Sequence, residues 1–164
     1  MSVIKAIGLN QQDLYNVLQA LVNRILGDSN FAVGSDTTTI QVDAFDYQIE
    51  DQVYAKAAED NVVVSLTDTG AGQFRKIRME INAAGTLSFK EGAVASAQVL
   101  APAPRRTAGL TTVGWGEIPA SFVYATSNFN DGGVTLFSGD PDVGDGAGVH
   151  PNDRGIERTI YTGP

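Results

Sequence analysis

Between Gln73 and Gly92 the chain reads QFRKIRMEINAAGTLSFKEG, and this stretch constrains the fold more than any other. Ile77, Met79 and Ile81 alternate with Lys76, Arg78 and Glu80. Leu87 and Phe89 then alternate with Ser88 and Lys90 beyond Asn82-Ala83-Ala84-Gly85. A period of two on both sides of a glycine-containing turn is the signal of a β-hairpin. One face is apolar and the other charged. The expectation is a hairpin that covers a core and turns Arg75, Lys76, Arg78 and Glu80 toward solvent or a partner.

The flanking chain extends this β reading. Thr37–Val42, Ala44–Ile49, Val53–Ala57, Val62–Leu66, Leu110–Ile118 and Phe122–Ala125 read as strands, with a short apolar run at Val134–Phe137. Glu59-Asp60-Asn61 splits two of these strands, and Thr67-Asp68-Thr69-Gly70-Ala71-Gly72 is a loop. Ala93 to Ala103 is alanine-rich, and Ala101-Pro102-Ala103-Pro104 forms a Pro-interrupted extended link.

One segment carries the helical period instead. From Gln11 to Leu26 the apolar positions include Leu14, Val17, Leu18, Leu21, Val22 and Ile25, with Asn10 as N-cap and Gly27 as C-terminal cap. Leu14, Leu18, Leu21 and Ile25 follow a four, three, four spacing, the spacing of a coiled-coil seam. That stripe suits either packing on the protein's own sheet or self-association around a symmetry axis. The expected fold is therefore mainly β: a small antiparallel β-sandwich or barrel, one N-terminal amphipathic helix and a Gly-rich C-terminal tail. The expected organisation is an arm and helix over 1–29, a β-domain over 30–130 and a Gly/Asp-rich extension over 131–164.

Charge narrows the partners. The formal charge is −8 and the pI about 4.4, and only Arg75-Lys76-Arg78 and Arg105-Arg106 are locally basic. Phosphate-backbone binding needs clustered cations, so no nucleic-acid partner is expected. Charged residues make up 18% of the chain, against about 25% in typical soluble domains. Either some surface is buried between subunits, or Ser, Thr, Asn, Gln and Gly supply the polar exterior. The lead MSVIKAIGLNQQ lacks the apolar centre of a signal peptide. No apolar run approaches the ~20 residues that span a bilayer, so cytoplasmic synthesis and no membrane partner are expected.

The residues that carry chemistry elsewhere do not assemble into a motif. Cysteine is absent, which removes thiolate catalysis, disulfides and cysteine zinc sites. His150, the sole histidine, lies in a Gly/Pro-rich tail with no GxSxG turn in the chain. Asp140, Asp142 and Asp145 invite a calcium reading, but the third aspartate is displaced by one position and no glutamate closes the loop. Glu50-Asp51 and Glu59-Asp60 are sequence neighbours, which point to opposite faces of an extended chain. Neither a GxxxxGK[ST] nor a GxGxxG phosphate loop occurs. The expectation is a non-enzyme without catalytic residues, metal or cofactor. Leu14, Leu18, Leu21, Ile25 and Trp115 are the candidate oligomer- or partner-binding residues. A carbohydrate-binding module is the alternative from another class, with Trp115 and the strand aromatics as its stacking platform.

From Tyr47 to about Gly139 the pattern resembles tailed-bacteriophage virion proteins of the head-decoration or head-fibre type. The resemblance is carried by VYAKAAEDNV at 53–62, FRKIRMEINAAGTLSFKEG at 74–92, the alanine-rich run to Pro102-Ala103-Pro104, GWGEIP at 114–119, Phe122 and the Gly-rich close. It covers rather over half the chain and leaves out the N-terminal helix and the acidic tail. It implies a β-rich, non-enzymatic, oligomeric protein, often a trimer, attached to capsid or tail. The leading expectation is a homotrimeric decoration or cement protein in the virion, assembled in a host cytoplasm on the major capsid protein or another virion protein. A tail, neck or fibre-attachment component is the alternative.

Overall fold

The computed structural model describes residues 22–36, 38–124 and 133–141. Among these residues ten strands form: β1 (Arg24–Ile25), β2 (Phe31–Val33), β3 (Thr39–Val42), β4 (Phe45–Ile49), β5 (Gln52–Lys56), β6 (Glu59–Val63), β7 (Arg75–Ile81), β8 (Leu87–Glu91), β9 (Thr111–Ile118) and β10 (Thr135–Ser138). Every strand pairing is antiparallel. The architecture is thus mainly β, as the alternating segments demand.

The expected central hairpin forms. β7 and β8 pair from Ile77 opposite Glu91 to Ile81 opposite Leu87. The turn is held by its own asparagine: Asn82 Oδ1 accepts from the backbone N–H of Ala84 at 2.9 Å and of Thr86 at 3.0 Å. Gly85 supplies the positive φ, +79°, that the turn requires. β9 pairs with the other side of β7, and β10 with β9, giving the order β10-β9-β7-β8.

The remaining strands form two three-stranded sheets, β1-β4-β5 and β2-β3-β6. Their registers show one meander bent across its middle. Val42 stands opposite Glu59 and Phe45 opposite Lys56, so the ladder resumes on either side of Asp43-Ala44 and Ala57-Ala58. β1 and β2 line the other edge in the same way, with Ile25 opposite Tyr47 and Phe31 opposite Val42. Both halves and the apolar face of the four-stranded sheet meet in one core, which includes Ile40, Val42, Tyr47, Ile77, Met79, Ile81 and Val113. Ser29 Oγ donates to the Val113 carbonyl at 2.7 Å, and Thr111 Oγ1 to that of Gln48 at 2.6 Å, so β9 is tied to both halves.

Several expectations shift. Positions 10–21 of the expected helix, with Leu14, Leu18 and Leu21, lie outside the described residues. Of its described end, Val22 is helical and Arg24–Ile25 is strand, so the chain leaves the helical path before the expected Gly27 cap: Ile25 lies in β1 and packs against the core. β6 begins three residues earlier than its sequence pattern suggests, because pairing with β3 continues through Glu59-Asp60-Asn61. Asn61 accommodates this with a left-handed backbone, φ +60°. The segment 122–124 is not a strand; it is pinned instead by Thr69, whose Oγ1 accepts from the Phe122 N–H at 2.9 Å. The apolar run at 134–137 becomes β10 and belongs to the same sheet as the central hairpin.

Candidate functional site

The largest departure from expectation is the charged face of β7. Lys76, Arg78 and Glu80 are all buried, and Arg78 is 0% exposed. Alternation correctly separates these side chains from Ile77, Met79 and Ile81, but water does not reach them. Two segments cover them. One is the run from Gln98 to Thr107, which passes over the sheet. The other is the turn after β10, which brings in Asp140.

Each charge in this layer is met. Arg78 Nε donates to the Pro104 carbonyl at 2.7 Å, and its Nη1 donates to Thr112 Oγ1 at 3.1 Å and to Asp140 Oδ1 at 2.9 Å. Arg106 pairs with the second oxygen of Asp140. Glu80 Oε1 accepts from the Thr107 N–H at 2.7 Å. Lys76 Nζ lies 3.9 Å from Glu117 Oε1 and 5.2 Å from the centre of the Trp115 ring. Lys76, Arg78 and Arg106 are thus balanced by Glu80, Glu117 and Asp140. A cluster of this kind closes and orients a fold; buried charges persist only when paired and hydrogen-bonded.

Trp115 lies within the same layer. It is 4% exposed and stacked on Phe137, with ring centres 4.1 Å apart and planes 14° from parallel. A sugar-stacking platform needs an open ring face. The structure places Trp115 inside the protein, where it serves neither as such a platform nor as a surface contact. Asp140 is engaged by two arginines, and Asp142, Asp145 and His150 lie outside the described residues. Among the described residues no group of three or more His, Cys, Asp and Glu side chains is placed to hold a metal ion. No helix among them is long and apolar enough to cross a membrane.

The covering segment has an outer side, and that side is apolar. From Ala93 to Ala103 there is no ionisable residue. The ends of this loop are close together: a Cβ on Gly92 would stand 2.4 Å from the Pro102 carbonyl oxygen, so glycine is required for the contact. Phe74 and Ala95 exchange backbone hydrogen bonds at 2.8 Å, fixing the near end, and Arg78 holds the far end at Pro104. Between them a short 3₁₀ turn, Gln98–Leu100, presents Val99 and Leu100 at 54% and 65% exposure, with Val94 also exposed. The loop is a strap of the Ω type: closed at its base, with Ala101 buried and the turn exposed. Lys90 and Arg105 are exposed at its base, joined by a hydrogen bond from Lys90 Nζ to the Arg105 carbonyl at 2.8 Å.

The strap, not Trp115, is the outward-facing candidate. Its sequence signal is the uncharged Ala93–Ala103 run itself, ending in two prolines. What that run could not reveal is the Arg78–Asp140–Arg106 cluster that anchors it, because the partners are far apart in the chain. No family model, curated protein or solved structure matches the chain.

Proposed function

We propose that this chain is a structural protein of a tailed-bacteriophage virion, acting as a homo-oligomeric decoration or cement protein on the head. The observation that carries this reading is the strap. A buried ionic cluster anchors the far end of an uncharged loop at Pro104, with Val99 and Leu100 turned outward. A pinned apolar surface of this kind suits durable contact between subunits, and so a homo-oligomer. The sequence resemblance over Tyr47 to about Gly139 supplies the class of partner: a capsid or other virion protein. Cement action works by burying apolar area across neighbouring capsomers, and a standard interface buries about 1,600 Å² in total.

The acidic composition fits the same role. With a formal charge of −8, copies displayed densely on a particle repel one another except where a specific contact is built. Labelled protein located on purified particles tests the reading. Density at the head supports it, density at the tail or neck moves the protein to fibre attachment or tail assembly, and absence from particles removes it.

A further inference from the structure

We propose that a second copy of this chain docks on the strap through β6, in a head-to-tail contact that closes the homo-oligomer. The inference rests on the homo-oligomer reading above and names its contact surfaces.

The argument begins with charge. Self-association of a chain with formal charge −8 requires a patch from which negative charge is missing, and a complement that can meet it. The strap is such a patch. It has no ionisable residue from Ala93 to Ala103, it exposes Val99 and Leu100, and its exposed flanking cations are Lys90 and Arg105. The complement is β6, the outer strand of the β2-β3-β6 sheet. Four of its five residues are exposed: Glu59, Asp60, Asn61 and Val63. Val63 is 68% exposed, a large apolar side chain left in water on an edge strand. The acids of β6 and its irregular register at Asn61 blunt the edge against strand pairing, so the contact is made by side chains. β6 therefore offers an apolar anchor beside Asp60 and beside Glu59, which also pairs with Lys56 of its own chain, to meet the strap's apolar turn beside two cations.

The two patches are different surfaces of one chain, so the contact is heterologous. Heterologous contacts close into rings when the rotation allows, and a trimer is such a ring. A dimer that placed strap on strap would instead set Lys90 and Arg105 against their own copies.

Light scattering coupled to size exclusion, at tens of micromolar protein, reads the outcome. Wild type is expected to elute as a ring oligomer. Leu100→Asp, at a position 65% exposed, is expected to keep its circular dichroism melt and lose association at least tenfold. Lys90→Glu with Arg105→Glu, and separately Glu59→Lys with Asp60→Lys, are each expected to dissociate the ring. All four changes in one chain are expected to restore it, since the charges are then exchanged across the contact. An oligomer that survives both charge reversals and Leu100→Asp overturns this contact while leaving the homo-oligomer reading standing. A wild-type monomer at that concentration overturns the homo-oligomer itself.

Discussion

Asp140 is the residue on which the buried layer turns. Its two carboxylate oxygens meet Arg78 and Arg106, one from the central strand and one from the segment that follows the strap. Asp140→Asn preserves shape and removes the charge that both guanidiniums face. Removing one partner of a buried ion pair costs about 3–5 kcal/mol, because the remaining charge stays buried. Urea unfolding is expected to show a loss of that order. Arg78→Met with Asp140→Leu is expected to lose less than the sum of the two single changes, since the two side chains are in contact.

Tyr47 carries a second residue-scale prediction. Its hydroxyl donates to the Asn82 carbonyl at 2.9 Å and so joins the bent meander to the hairpin turn. Burial pushes its phenol above the usual value, only partly offset by the Gly85 N–H, while Tyr54 adds to the rise. The fold thus favours the neutral phenol. That contribution is fully present below pH about 10, the unfolded value, and is lost as pH rises through the folded value. Tyr47→Phe is expected to cost about 0.5–1.5 kcal/mol at pH 7, the net worth of one hydrogen bond. The gap between wild type and variant is expected to narrow above pH 10 in paired urea titrations.

At the scale of elements, β9 shows how close the packing is. Its register against β7 slips between Met79 and Glu80, so Val113 is extra. Beside it, a Cβ at Gly114 would stand 2.5 Å from the Phe31 ring and 2.7 Å from Met79 Cε. Gly114→Ala forces those neighbours aside, and overpacking of this type costs about 1–3 kcal/mol. A fall in the urea midpoint at unchanged slope checks it.

The same elements mark what the sequence could reveal. β3, β4, β5, β7, β8 and β9 were legible because alternation and turn residues are local signals. β1 and β2 were not: they are two and three residues long, too short for a period, and exist through pairing with β4 and β3. The fate of the charged face was illegible for another reason. Alternation says which side chains share a face, but not what covers that face. The cover comes from Pro104, Arg106 and Thr107 on one side and Asp140 on the other, 62 positions from Arg78. Trp115 misled similarly: its type suggested a surface contact, and its pairing opposite Arg78 beside β10 put it indoors. The strap was visible as composition, an uncharged run, but not as a pinned, outward-facing loop.

At the scale of the whole molecule, charge is arranged by depth. Balanced charges close the interior layer, acids such as Glu59 and Asp60 line an outer edge, and the strap stays uncharged. On the proposed reading, this arrangement separates copies except along one contact. The proposed functional expression is display on a larger particle, so the position of the protein on that particle is the direct test. Cryo-electron microscopy of purified particles, with a globular tag fused to the C-terminus, locates it. The account predicts tag density repeated over the head surface in oligomeric clusters. Particles whose heads and tails both lack that density, from a lysate in which the protein is abundant, would contradict it.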